Sequence, residues 1–123
     1  MSRSLDIFVE SKTEIETFVE QIEFLLGIKL KLIHDENESW YEYQNSTINL
    51  TLGTHEFEND KNMNFEDYDY YISIRSLNIE TEEKREKWRN DFAQNIFNKL
   101  KETQKYQIML VDDLQKKLEG FSP

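Results

Sequence analysis

The first thirty residues carry apolar positions with two different spacings. Residues 5–9 follow the alternating pattern of a strand and are rich in β-branched and aromatic side chains. Ser11 and Glu14 then match a capping box, in which a hydroxyl and a carboxylate each satisfy a free amide at the start of a helix. The helix is expected to end at Gly27, because glycine suits the left-handed position that follows a helix. Its apolar stripe is predicted to be Ile15, Phe18, Val19, Ile22 and Leu26.

The middle of the chain shows the period of two that is typical of strands. Four strands are predicted here, at residues 28–32, 40–44, 47–52 and 68–77. The polar run 34–39 and the pair Asn45-Ser46 have turn chemistry, so the first three of these strands are expected to form an antiparallel meander. Residues 58–66 are polar and rich in Asn, and they predict the longest loop.

The last forty residues predict a long helix, a short strand and a terminal helix. Thr81 suits the N-cap of the long helix, because its hydroxyl can accept from a free amide. The stripe of that helix is predicted to be Trp88, Phe92, Ile96, Phe97 and Leu100. Residues 106–111 form an apolar run of strand length. Asp112 and Asp113 are then expected to cap a terminal helix that ends at Gly120.

The predicted order of elements is β-α-β-β-β-β-α-β-α. Runs of strands flanked by helices are typical of the α+β class, here a two-layer arrangement with two long helices on one face of a mostly antiparallel sheet. The chain has 123 residues, which suits one domain, so residues 1–123 are predicted to be a single α+β domain.

Composition excludes several classes of protein. The chain has no Cys, which excludes a disulfide scaffold and any thiolate-bound metal. Its apolar runs are too short to cross a bilayer, and the first ten residues lack the pattern of a signal peptide. The protein is therefore expected to be cytoplasmic and not to bind a membrane.

The acidic residues are concentrated in one part of the chain. The net charge is −10, divided as −11 over residues 1–80 and +1 over residues 81–123. Residues 35–69 hold ten acids and one base, mixed with several aromatic residues. Binding to a phosphate backbone requires Lys and Arg, so nucleic acid is not expected as a partner.

The sequence offers few candidates for catalysis. His34 and His55 are the only histidines, neither belongs to a metal-binding or nucleophile motif, and no glycine-rich phosphate loop is present. We therefore expect a protein without a cofactor that is not an enzyme. One alternative stays open, a small metal-dependent hydrolase that uses Asp6, Asp112 and Asp113 as ligands.

Acidic and aromatic residues together suit recognition of a basic protein. Aromatic side chains bury much area at a low entropic cost, and carboxylates steer a basic partner toward the surface. Trp40 and Tyr41 are the expected anchors, and the acids are expected to set the association rate and its salt dependence. The predicted contact residues are Asp35, Glu36, Glu38, Trp40, Tyr41, Glu56, Glu58, Asp60, Glu66 and Asp67.

Four segments, together with the size and charge of the chain, resemble small bacterial immunity proteins of polymorphic or contact-dependent toxin systems. The segments are residues 5–11, 25–28, 53–57 and 110–114. The resemblance implies a cytoplasmic protein, not an enzyme, that binds one cognate toxin domain and blocks it; a basic nuclease is the toxin that the charge favours. It carries over no binding residues, because these families share none. A second alternative is a phage- or plasmid-encoded mimic of nucleic acid that inhibits a host enzyme.

Overall fold

Seven strands form one antiparallel sheet in the computed structural model, which describes residues 4–60, 62–77 and 81–123. The strands are β1 (Leu5–Glu10), β2 (Lys31–Asp35), β3 (Glu38–Gln44), β4 (Ile48–Thr54), β5 (Tyr70–Ser76), β6 (Gln107–Asp112) and β7 (Lys116–Phe121). Two helices, α1 (Ile15–Leu26) and α2 (Glu82–Thr103), and a short 3-10 turn (Phe65–Asp67) complete the fold. The strand order is β2-β3-β4-β5-β1-β6-β7, which confirms the α+β class and the predicted meander.

Both helices pack on one face of the sheet, as predicted. Alternate residues of β1, namely Leu5, Ile7 and Val9, point to this face and are buried there. The ring of Phe18 in α1 stacks on Tyr70 in β5, with centroids 4.9 Å apart. The buried apolar residues of α2 on this face are Ala93, Ile96, Phe97 and Leu100. These contacts form the main hydrophobic core.

A second, smaller core lies on the opposite sheet face, which we call the open face. The loop between β4 and β5 crosses this face and buries Met63, Phe65 and Tyr68 against it. The ring of Phe65 lies 4.8 Å from that of Phe8 in β1, between centroids. The polar composition of residues 58–66 predicted only a loop, because two isolated apolar residues show no period.

The end of the chain is a strand, so the predicted terminal helix is wrong. The amide of Gln115 donates to the carbonyl of Asp112 at 2.9 Å, and the two residues between them have positive φ (51° and 60°). Left-handed conformation at both central positions is the geometry of a tight hairpin turn, and it sends β7 back along β6. The carboxylates of Asp112 and Asp113 therefore do not cap a helix. The hydrogen bonds of the hairpin outweigh a local pattern that suits a helix.

Two of the three predicted ends of α1 and α2 are confirmed, at Gly27 and at Thr81. Gly27 has a φ of 68° after α1, Gln104 takes the same left-handed role after α2, and the Thr81 hydroxyl accepts from the Lys84 amide at 3.2 Å. The capping box is wrong, because α1 begins after Glu14 without a side-chain cap, three residues beyond Ser11.

The core stripe of α2 runs through a different residue near its start than predicted. Trp88 is 54% exposed, whereas Arg89 is buried. Arg89 lies seven residues, or about two helical turns, before Ile96, so the two residues are on the same side of the helix. Trp88 is therefore a surface residue, and the prediction that placed it in the core is wrong.

Candidate protein-binding surface

A cleft opens on the open face between β3 and the segment that follows β4. We call it the acidic cleft. Its lining residues are Asn37, Glu38, Ser39, Trp40, Thr54, His55, Glu56 and Tyr71. They come from three neighbouring elements of the sheet, so the meander assembles the cleft from residues that are distant in sequence.

Gly53 lies between two aromatic residues of the cleft. Gly53 pairs with Tyr71 in the ladder of β4 and β5, and Trp40 lies beside it on β3. A Cβ atom added at Gly53 would lie 3.5 Å from the Trp40 Cβ and 3.8 Å from a ring carbon of Tyr71. Residues Trp40 and Tyr71 therefore both lie within ordinary contact distance of this position of the sheet. Both aromatic residues are half-buried, which leaves part of each available to a partner.

His55 lines the cleft and also contacts residues of the second core. Its Nε2 lies 2.7 Å from the Tyr68 carbonyl oxygen, and its Nδ1 accepts from the Phe57 amide at 3.1 Å. The ring also packs edge-on against Phe8, with centroids 5.0 Å apart. Burial lowers the pKa of His55, although the Tyr68 carbonyl and the charge of Asp69 oppose the shift. The contacts fit a neutral imidazole with its proton on Nε2.

The charge of the cleft is negative. Glu38 and Glu56 are exposed on its lining, and no Lys or Arg is among the described residues that line it. Burial raises the pKa of the Tyr71 hydroxyl, and the charges of Asp6 and Glu38 add to this effect, while a Thr51 hydrogen bond and the charge of Arg75 oppose it. An acidic rim around half-buried aromatic rings can bind a cationic side chain by charge and by cation–π contact.

The structure brings some of the predicted contact residues together and separates others. Glu38, Trp40 and Glu56 line the cleft, and Asp35 and Glu36 lie in the adjoining hairpin. Tyr41 instead points to the helix face and packs against the main core, because successive residues of a strand face opposite ways. The two expected anchors therefore lie on different faces of the sheet.

The remaining predicted acids lie in the loop between β4 and β5, where two of them have structural partners. The Glu66 carboxylate accepts from the Asn59 amide, and the Glu66 amide donates to the Asn59 side chain, both at 3.0 Å. The Asp67 carboxylate accepts from the Asn64 side chain at 2.8 Å. Glu58 and Asp60 are exposed. The loop is thus closed by its own carboxylates.

The three carboxylates considered as metal ligands do not form one cluster in the part of the chain that the structure describes. Asp6 is buried on the open face, where its carboxylate accepts from the Ser4 hydroxyl at 3.2 Å. Asp112 pairs with Leu5 and so faces the helices, and Asp113 lies in the hairpin turn. Within the described ranges, no group of three or more His, Asp or Glu side chains is arranged to hold a metal ion.

Three comparisons with known proteins give no relative: no family model matches the chain, and no curated protein or solved structure matches it. Across the part of the chain that the structure describes, neither helix is long and apolar enough to span a membrane. The cleft is therefore interpreted from its own chemistry.

Five of the eight lining residues of the cleft were absent from the predicted contact set, among them His55 and Tyr71. His55 lies in a polar stretch of the sequence, yet it is half-buried among aromatic rings. Tyr71 alternates with Tyr70 along β5 and so faces the open face, but no sequence signal showed that this face carries a cleft. The alternation of β3 and β5 could have placed Trp40 and Tyr71 on one face once the strand order was known.

Proposed function

We propose that this chain is an immunity protein, which binds and neutralises a cognate bacterial toxin through the acidic cleft. The observation that carries the proposal is the cleft itself: Trp40 and Tyr71 are half-buried beside exposed Glu38 and Glu56, with no Lys or Arg among the described residues that line it. The partner is a protein domain with a basic surface, and a nuclease is the toxin that this charge fits best. The protein acts in the cytoplasm and without a cofactor.

The proposed mechanism is occlusion rather than catalysis. A nuclease carries Lys and Arg where the phosphates of its substrate bind, and the carboxylates of the cleft would occupy those positions. Trp40 would bury against the toxin as an anchor, because aromatic residues in partly desolvated pockets contribute much of the binding energy of an interface. The acidic side chains around it would accelerate association at low salt.

The test begins with the product of the gene adjacent to this one, expressed with and without the chain. We expect that product to stop growth, and the chain to restore growth and to bind it in isothermal titration calorimetry. Trp40→Ala, and the pair Glu38→Lys and Glu56→Lys, should each weaken binding by tenfold or more, about 1.4 kcal/mol per tenfold step. Raising the salt concentration should weaken binding by the wild-type chain most strongly.

Glu102→Lys is the matched control, since Glu102 is exposed on α2, on the other face of the sheet. It makes the same charge change as Glu38→Lys or Glu56→Lys alone, half that of the pair, and should leave binding unchanged. The proposal fails if the adjacent product is harmless or is not bound. The surface assignment fails if binding survives the cleft substitutions, or if Glu102→Lys weakens it equally.

A further inference from the structure

The strand β2 forms an exposed edge of the sheet. It pairs with β3 on one side only, in an unbroken register from Lys31↔Glu42 to Asp35↔Glu38. Four of its five residues are exposed, among them Leu32 at 44%. An edge strand presents a row of backbone amides and carbonyls to another strand, so β2 is a candidate for pairing between chains.

The opposite edge, β7, is protected by its shape. Its register with β6 shifts between Leu110↔Glu119 and Val111↔Lys117, which leaves Leu118 as an extra residue in the ladder. A bulge of this kind twists an edge strand and disfavours further pairing. The two edges of the sheet therefore differ, and β2 is the regular one.

We propose that β2 pairs antiparallel with β2 of a second copy of this chain, around a twofold axis at Ile33. Alternate residues of a strand direct their backbone groups to the same side, so two identical strands can pair only in registers that place a residue opposite its own copy. Centring on Ile33 sets Lys31 opposite Asp35 of the other copy, twice by symmetry. Centring on Leu32 or His34 loses both of these charge pairs.

The charges within one copy also favour this register. Asp35 lies directly opposite Glu38 in the hairpin, and like charges at such positions repel. In the proposed dimer, Lys31 of the second copy lies on the free side of Asp35 and compensates this repulsion. Lys31 itself faces Glu42 within its own chain, so it would lie between two carboxylates.

The dimer has a defined geometry. Antiparallel pairing of edge strands produces one continuous sheet, in which the helix layers of both copies share one side and the two acidic clefts share the other. Five residues of strand on each copy make a small contact, well below the roughly 1,200 Å² typical of a stable interface. The dimer should therefore be weak and should form as protein concentration rises.

The test is a charge exchange measured by sedimentation velocity across the micromolar to millimolar range. We expect the wild-type chain to dimerise with concentration, and Lys31→Asp or Asp35→Lys alone to reduce the association constant by tenfold or more. An equimolar mixture of the two variants should form a mixed dimer again. In that dimer the introduced aspartate of one variant meets the introduced lysine of the other, and the unchanged Asp35 of the first meets the unchanged Lys31 of the second.

Lys12→Asp is the matched control for this experiment. It changes the net charge as Lys31→Asp does, lies in the exposed segment before α1, and should leave association unchanged. Circular dichroism of each variant verifies that the fold is retained. The proposal is overturned if the wild-type chain stays monomeric throughout the range. It is also overturned if a dimer forms that neither charge reversal affects, or if the mixture of variants fails to restore association.

Discussion

The environment of His55 predicts that this residue makes the free energy of unfolding depend on pH. Both ring nitrogens have partners in the neutral form, and protonation of Nδ1 would remove the acceptor of the Phe57 amide. The pKa of His55 is lowered by burial, so the unfolded chain binds a proton at a higher pH than the folded chain. The free energy of unfolding should therefore fall as pH decreases from 6.5 through the lowered pKa.

Chemical denaturation above and below pH 6.5 measures this effect. His55→Gln should remove the fall in stability in that range, because its amide has a donor and an acceptor but does not titrate. His34→Gln is the control, since His34 is exposed on β2, and it should keep the pH dependence of the wild-type chain. Equal pH dependence in the wild type and in His55→Gln would contradict the assignment.

Asp6 should make the stability depend on pH in the opposite direction to His55. Burial raises its pKa above 3.8 despite hydrogen bonds from Ser73 and Ser4, so the ionised carboxylate is less favourable in the folded chain than in the unfolded one. Its contribution to stability falls as pH rises from 3.8 through the raised pKa. Asp6→Asn should therefore raise the melting temperature at neutral pH, because an amide oxygen can still accept from Ser4 without a buried charge.

The gain should disappear below pH 3.8, where Asp6 is protonated in both states. Thermal melts followed by circular dichroism measure it, with Asp91→Asn on the exposed side of α2 as the control. A lower melting temperature for Asp6→Asn at neutral pH would show that the carboxylate stabilises the fold.

Among the elements, the loop between β4 and β5 packs on the sheet, although its polar composition does not indicate this. Its Phe65 is 3% exposed and packs on Phe8, so Phe65→Ala should lower the free energy of unfolding by about 3 kcal/mol. Phe24→Ala makes the same change at a side chain that is 92% exposed, and should alter stability by about 0.5 kcal/mol or less. Urea denaturation compares the two, and similar values would mean that the loop is not packed on the sheet in solution.

The end of α1 allows a comparison between two glycines. Gly27 has a φ of 68° with no heavy atom within 4 Å of an added Cβ, so Gly27→Ala should destabilise by about 1 kcal/mol through backbone strain alone. Gly53 lies in a strand, where an added Cβ meets its neighbours at ordinary contact distance. Gly53→Ala should therefore be neutral or stabilising in the same denaturation experiment. Equal losses at both positions would show that the left-handed conformation is not the cause.

Elements whose signals are local were predictable from the sequence. Thr81 and Gly27 mark helix ends through contacts with their own helix, and the alternation of β4 and β5 follows from burial of one face. The terminal strand was not predictable, because its hairpin turn carries Asp113 and Leu114 at positive φ instead of the usual glycine. There the pairing with β6 decides the structure, and that pairing is a property of the tertiary fold.

At the scale of the molecule, the sequence showed where along the chain the acids are concentrated but not which of them lie together in space. Residues 35–69 stand out by charge, and the structure collects Glu38 and Glu56 in one cleft, while Glu66 and Asp67 close the loop. Grouping them required the order of the strands, since β3 and the segment after β4 meet only across the meander. The charge and aromatic pattern of the sequence also grouped Tyr41 with Trp40. In the structure Trp40 faces the cleft, whereas Tyr41 packs against the main core.

The interior position of β1 in the sheet has a consequence for synthesis of the chain. Although β1 is synthesised before the other six strands, it pairs with β5 and β6, whose residues are far along the chain. The strands β2 to β5 can pair with their neighbours as they emerge, whereas Ile7 and Phe8 must wait for partners on both sides. Because contacts between distant segments close slowly, insertion of β1 is expected to be the late step of folding. A nascent chain that stops before β6 would leave one side of β1 unpaired and open to other chains.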